Sequence, residues 1–305
     1  MYCVIDIGSN TIRLAVYRRD GGELRAILNN KRPAGLASYV DEKNCLSPEG
    51  VEKLIAVLRE FQSILGMLPD CPVYPFATAS LRNIVNTEQV LQQVKEETGL
   101  RIRVLSGYEE ATLDYRGAVR SMKGGSGLMV DIGGGSTELV FFKEERILAA
   151  KSVPLGSLNL YSRFVSDLFP TKKELRAMEE EVRRTLLEAL PPAEEYTGQP
   201  MVGVGGTARA ALALYRNAEG GGEAAREYER AFLKKVLHQA EENPRKLLRR
   251  VLKIAPDRVH TLVPGVLILH TVAQVYGGHT ILTSPYGVRE GYLSQMLERE
   301  EEHYA

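Results

Sequence analysis

One short motif occurs twice in this chain, and that repetition limits what it can become. Near the start the chain reads Val4-Ile5-Asp6-Ile7-Gly8-Ser9-Asn10-Thr11-Ile12-Arg13-Leu14. It later reads Val130-Asp131-Ile132-Gly133-Gly134-Gly135-Ser136-Thr137-Glu138-Leu139. Asp6 aligns with Asp131, Gly8 with Gly133, Thr11 with Ser136 and Leu14 with Leu139. Each copy is an apolar strand that stops at Asp, then a tight glycine turn, then a second strand. Such a strand end carries a carboxylate and bare backbone N–H groups. Two of them facing each other would form a cleft for phosphate and a divalent cation.

The rest of the chain supports an α/β fold built twice. Residues 2–7 read as a buried strand, 11–17 as a half-buried one, and Asp20-Gly21-Gly22 as a hairpin turn into a third strand near 23–31. Ser47-Pro48-Glu49 starts a helix whose apolar stripe is Val51, Leu54, Ile55, Leu58 and Phe61. A strand at 72–77, a helix at 87–98, a strand at 102–105 and a helix from Ser106 to about Met122 follow. The plan then repeats with strands near 127–132, 136–142 and 146–153. Helices are expected at 155–167 and 171–189, a strand at 200–204 and a helix at 207–215. Helices at 229–242, 244–253 and 264–276, a strand at 279–283 and a helix at 288–302 complete the pattern. Strands alternating with helices predict mixed sheets flanked by helices in a two-lobed arrangement. The polar, glycine-rich Lys123–Gly127 segment is the expected boundary, giving lobes 1–122 and 123–305. The last helix is a candidate to pack back on the first lobe.

Charge excludes some functions. Lys+Arg and Asp+Glu both total 39, so no global field draws the 305-residue chain toward nucleic acid or membrane. Any polyanion must meet a local patch. The most apolar stretch, Val263–Tyr276, holds His270 and Gln274 and is too short to span a bilayer. Three widely spaced cysteines without CxxC fit a reducing compartment. The chain opens directly on a core-like strand, so no signal peptide is expected and the expected location is the cytoplasm. A homodimer belongs to the same set of expectations.

In the first loop, Gly8 permits the turn, and Ser9, Asn10 and Thr11 add donors. Alone, Asp6 and Asn10 could equally satisfy the geometry of a hairpin. The second copy favours phosphate. Gly133-Gly134-Gly135 is costly unless a close backbone approach is needed, and Ser136 adds a donor. Asp131 and Glu138 could share Mg²⁺ through hard oxygen ligands. Gly203-Val204-Gly205-Gly206-Thr207 is a third strand–glycine–helix junction, open to phosphate contact or to close strand–helix packing. Ser106-Gly107-Tyr108-Glu109 matches a capping box, which gives Glu109 a structural duty. Glu110 projects from another side of that helix. On the residues alone it reads as a first-turn acid complementing the helix dipole. Arg245, Lys246, Arg249, Arg250 and Lys253 form a broad basic face, by default a solvated one.

The combination of Asp6–Thr11, Asp131–Glu138 and Gly203–Thr207 resembles the phosphate loops of the actin, sugar-kinase and heat-shock-chaperone ATPase superfamily. It is most similar to the exopolyphosphatase/guanosine pentaphosphate phosphohydrolase (Ppx/GppA) family. Ala77–Arg82, Leu105–Ala111, Val153–Ser157 and Val288–Gly291 match in the expected order across nearly the whole chain. The resemblance implies a two-lobed, actin-like fold that hydrolyses terminal phosphoanhydrides with Mg²⁺ or Mn²⁺. It implies that Glu110 is the base on the attacking water and that Asp131, Glu138 and Asp6 belong to the metal-linked acids. Arg13 and Arg82, the cations nearest the matched segments, are assigned to substrate binding with Gly8–Thr11, Gly133–Ser136 and Gly205–Thr207. Two departures stand out. Longer relatives carry a C-terminal HD-like extension that this chain lacks, which weakens the case for guanosine pentaphosphate and very long chains. His260 stands close to where the family usually has an acid. The leading expectation is an exopolyphosphatase acting on inorganic polyphosphate. The alternatives are a guanosine pentaphosphate 5′-phosphohydrolase and a non-catalytic actin-like nucleotide-binding module.

Overall fold

The computed structural model describes every residue except 22, 69, 120–124, 145, 220, 221, 223 and 305. The boundary expected at 122/123 and parts of the glycine turns at 20–22 and 219–223 therefore lie outside the described residues. The chain divides into two compact units, Met1–Glu109 with Tyr292–Ala305, and Glu110–Gly291.

The first unit is built on β1 (Tyr2–Ile7), β2 (Thr11–Asp20), β3 (Glu23–Pro33), α1 (Pro48–Leu65), β4 (Val73–Ala77), α2 (Ala79–Arg82), α3 (Thr87–Thr98) and β5 (Arg103–Val104). Its sheet runs β3-β2-β1-β4-β5, with β1 antiparallel to β2 and parallel to β4. Alternation places Ile12, Leu14 and Val16 in the core with Ile5 and Ile7, packed with Leu54, Leu58 and Phe61 of α1. Ser47 starts α1 by accepting from the Gly50 N–H at 3.3 Å, with Pro48 in the first turn. Residues 292–304 join this unit. The Tyr292 ring meets Phe76 edge-on at 4.8 Å, and the Tyr74 hydroxyl donates to Glu300 at 2.5 Å.

The chain enters the second unit along α4 (Gly107–Val119). Next come β6 (Ser126–Ile132), β7 (Thr137–Lys143), β8 (Arg146–Val153), α5 (Ser157–Phe164), α6 (Lys172–Ala189), β9 (Met201–Val204) and α7 (Gly205–Glu219). β10 (Glu227–Glu229), α8 (Arg230–Glu242), α9 (Pro244–Ile254), α10 (Leu262–Val275), β11 (Thr280–Thr283) and α11 (Val288–Tyr304) complete it, α11 continuing into the first unit. The sheet order is β10-β11-β9-β6-β7-β8. Without β10, that order and its strand directions repeat the first sheet: two antiparallel hairpin strands, then two parallel neighbours. The repetition reaches fine detail. Gly8 N–H donates to the Thr11 carbonyl at 3.1 Å, and Gly133 N–H to the Ser136 carbonyl at 2.9 Å. The outer hairpins bulge at equivalent places, Val16/Tyr17 and Phe141/Phe142.

Thr171 and Glu174 form the capping box of α6, and α10 is the buried apolar helix. Differences from the sequence reading are local. α7 begins at Gly205 rather than at Thr207, and α5 stops at Phe164 because Val165 is extended. The short α2 and β10 have no periodic signal to reveal them.

His270 lies on α10, 7% exposed. Burial, then the charges of Arg230, Lys234 and Arg183, push its imidazole from 6.5 down to about 4. The unfolded chain therefore takes up this proton at higher pH than the folded one. The neutral histidine contributes stability that is complete above pH 6.5 and disappears as pH falls toward 4. The loss is on the order of 3 kcal/mol, from roughly 1.4 kcal/mol per pH unit. His270→Leu should flatten the denaturation midpoint between pH 6.5 and 4 relative to the parent protein.

Candidate active site

The second glycine loop is held from one side. Ser157 N–H and its hydroxyl both donate to the Gly133 carbonyl at 2.9 Å, and the Leu158 and Asn159 amides donate to Gly134 O at 3.0 and 3.1 Å. The Asn159 side-chain amide reaches Gly135 O at 3.2 Å. The start of α5 thus takes the loop's carbonyls. Among the described residues the Gly134 and Gly135 amides have no acceptor, which suits an anion. Gly156 permits this seating, since a Cβ there would overlap the Gly134 carbonyl.

Beside the loop, carboxylates gather. Asp131, at the end of β6, stands directly opposite Glu138 of β7 on the hairpin. Glu138 is 1% exposed and accepts from the Ser152 hydroxyl at 2.7 Å. Burial, then the negative charges of Glu110 and Asp131, push its carboxyl well above the ordinary range. Glu110 is also buried, and α4 brings it to the same acids. Its neighbour Glu109 has the structural duty assigned to it. Glu109 accepts from the Ser106 N–H at 2.9 Å, its own N–H donates to the Ser106 hydroxyl at 3.2 Å, and Arg103 meets its carboxylate at 2.5 Å.

The sequence reading did not single out Asp114, one turn beyond Glu110 on the same helix face. Its carboxyl meets that of Asp131, and Glu138 and Glu110 also act on it. Of the touching pair, Asp114 is the one held well above its ordinary value, because it is fully buried and faces acids. Burial raises Asp131 too, but Arg209, Arg258 and Arg289 pull it back. Those three arginines, from α7, the turn Pro256–Arg258 and the start of α11, are the cations gathered here. Burial and Arg289 in turn lower the Arg209 guanidinium. A spacing signal was available only for Asp114, four residues after Glu110. The arginines come from distant segments that only the fold assembles.

Gly205-Gly206-Thr207 serves packing around these groups. Gly205 takes φ +75°, and a Cβ on it would overlap the Asp131 carboxylate. A Cβ on Gly206 would overlap the Arg258 guanidinium. Thr207 is buried and its hydroxyl donates to the Ile132 carbonyl at 3.1 Å. Asp6, Gly8–Thr11, Arg13 and Arg82 belong to the first unit. There Asp6 faces Arg13 across the β1–β2 hairpin, Arg13 donates to Asn29 at 3.0 Å, and Arg82 donates to the Leu105 carbonyl at 3.1 Å. His260 stacks edge-on with Tyr161 at 5.0 Å.

Comparison with known proteins gives the family. The Ppx/GppA phosphatase family matches residues 15–300. The chain belongs to that family. A guanosine-5′-triphosphate,3′-diphosphate pyrophosphatase of Vibrio vulnificus is 33% identical over 212 residues, 69% of this chain and 42% of the relative. The chain thus spans less than half the length of that relative. The solved Aquifex aeolicus Ppx/GppA protein is 28% identical over 98% of each chain, with a TM-score of 0.79. An exopolyphosphatase structure from Cytophaga hutchinsonii, 22% identical over 97% of each chain, superposes with a TM-score of 0.83 and shares the fold.

In this Ppx/GppA chain, glycines fix α4 and hence Glu110 and Asp114. A Cβ on Gly291 of α11 would run into the Leu113 carbonyl, and one on Gly117 into Gly287. Helical Gly→Ala ordinarily gains up to about 1 kcal/mol. Gly291→Ala should instead cost roughly 1–3 kcal/mol through overpacking, read as a lowered urea midpoint, and should reduce turnover because α4 must shift.

Proposed function

We propose that this chain is a metal-dependent exopolyphosphatase that releases terminal phosphate from inorganic polyphosphate. The reading is carried by Glu110, a buried carboxylate beside Asp131 and Glu138. Phosphoryl transfer asks a protein mainly for positioning and charge neutralisation. Glu110 orients the attacking water and takes its proton, worth roughly 10²–10⁴-fold in rate. The Gly134 and Gly135 amides and Ser136 bind the terminal phosphate. Arg209, Arg258 and Arg289 neutralise its oxygens through guanidinium forks. Hard carboxylate oxygens suit Mg²⁺ or Mn²⁺. Asp131 and Glu138 would hold the cation, which when bound supplies further charge neutralisation to the phosphates. The internal repeat gives Asp6 and Gly8–Thr11 of the first unit matching cation and phosphate chemistry, and Arg13 and Arg82 are cations of that unit suited to phosphate.

Polyphosphate is favoured by α9. Arg245, Lys246, Arg249 and Lys253 are exposed and have no carboxylate partner among the described residues. Eleven residues at 1.5 Å each make a basic track of roughly 16 Å. The track leads into the turn that carries Arg258. The second reading, guanosine pentaphosphate 5′-phosphohydrolase, is favoured by the name of the Vibrio vulnificus relative.

A phosphate-release assay comparing polyphosphates, guanosine pentaphosphate, ATP and pyrophosphate, with and without Mg²⁺, tests the proposal. Polyphosphate should be the best substrate. Glu110→Gln should lower its kcat by roughly 10²–10⁴-fold; an unchanged kcat would remove Glu110 from the mechanism. Reversing charge at Arg245, Arg249 and Lys253 together should raise KM for polyphosphate about tenfold with kcat unchanged. The same triple variant should leave KM for pyrophosphate as it was, since that substrate is too short to reach the track.

A further inference from the structure

Asp114 has a place in the fold that packing alone does not explain. Its residue surface is 0% exposed, and among the described residues neither carboxyl oxygen has a hydrogen-bond donor. What it meets is another carboxyl, that of Asp131, with Glu138 and Glu110 close behind. On the α11 side Gly287 leaves room for it: a Cβ there would sit 3.1 Å from Asp114 Oδ1. The three guanidiniums act on Asp131. A buried carboxyl surrounded by acids is destabilising, and Asn or an apolar residue of similar volume would fold at lower cost. The group that turns this arrangement into a favourable one is a cation with hard-ligand preference.

We propose that Asp114 and Asp131 together form the primary seat of the divalent cation, with Asp114 an additional metal-site carboxylate. The inference rests on reading this site as one for phosphoanhydrides. Mg²⁺ needs only one or two carboxylates and fills its remaining positions with water and substrate phosphate. The geometry fits that economy. Among the described residues, the only triad whose ligand atoms all lie within 4.8 Å is the largely exposed His238, Glu241 and Glu242 on α8. In the buried cluster the acids that touch are a pair, Asp114 and Asp131. Glu138, held by Ser152 at 2.7 Å and opposite Asp131 on the hairpin, stays the partner of Asp131 that the proposed function gives the cation, with Asp114 added to them.

The test is metal binding, measured on the full chain by calorimetry with MnCl₂ alone and by thermal midpoint with and without Mn²⁺. Asp114→Asn keeps the shape and removes the charge. It should weaken Mn²⁺ binding at least tenfold, raise the midpoint of the metal-free protein, and abolish most of the rise that Mn²⁺ gives the parent. Asp114→Ser, smaller and uncharged, should repeat the loss of affinity and guards against a folding defect particular to Asn. Mn²⁺ affinity within twofold of the parent in either folded variant would overturn the assignment. Hydrolysis separates the two readings. A parent protein that cleaves no phosphoanhydride, yet binds Mn²⁺ in an Asp114-dependent way, would sink the proposed function and support the seat. Active parent with unchanged Mn²⁺ affinity in Asp114→Asn would do the reverse.

Discussion

Like charges confined in a small, poorly hydrated space set the terms for this protein. In the second unit, Glu110, Asp114, Asp131 and Glu138 act on one another electrostatically, and three of the four are buried. Two unit charges 5 Å apart repel by roughly 3 kcal/mol even at an effective dielectric near 20. A fold can carry that load in a few ways: by protonating the carboxyls, by surrounding them with guanidiniums, or by admitting a cation. The raised Asp114 and Glu138 carboxyls express the first, and Arg209, Arg258 and Arg289 express the second on the Asp131 side. Such a site is expensive for stability and useful for a ligand that brings many negative oxygens together with a metal.

The internal repeat shows where the two halves diverged. Strand order, strand direction, the glycine-turn hydrogen bond and the outer bulge are shared. One rung differs. Opposite Asp6 stands Arg13, whereas opposite Asp131 stands Glu138. The first hairpin therefore balances its own charge, and the second must draw compensation from α7, the turn at Arg258 and α11. That exchange of sign adds Glu138 to Asp131 and to the acids that α4 brings, Glu110 and Asp114.

Much of this was legible from local chemistry. The duplicated loops, the Ser47-Pro48 helix start, the Thr171/Glu174 capping box and the Ser106/Glu109 cap depend on residues a few positions apart. Short-range spacing determines them, so the chain displays them directly. The arginine trio was not legible as a group, because residues 209, 258 and 289 meet only through packing of three separate elements. Gly205 and Gly206 were open to phosphate contact or to close packing, and the space of a Cβ on each is taken by the Asp131 carboxylate and the Arg258 guanidinium. The glycine signal was real; the partner making the close approach was a side chain of the same chain. The compositional boundary and the compact units fall at different places for a related reason. Composition marks the glycine-rich segment near 123–127, but the division at Glu109/Glu110 runs through a continuous helix. An uninterrupted helical pattern carries no compositional mark of such a division.

That helix also explains how so unfavourable a cluster keeps its geometry. Repulsion among the acids pushes α4 away from β6 and β7, so something must hold it. Gly117 and Gly291 let α4 and α11 approach until backbone meets backbone, at Gly287 and at Leu113. Contact at that distance is steep: it gains dispersion over a short range and yields nothing to a helix that tries to slide. Glu110 and Asp114 sit on the stretch of α4 so clamped, one turn apart on a common face. The acids are therefore positioned by apolar and backbone packing that does not depend on their charge state. A change in the charge of these acids can then alter the electrostatics of the site without moving them.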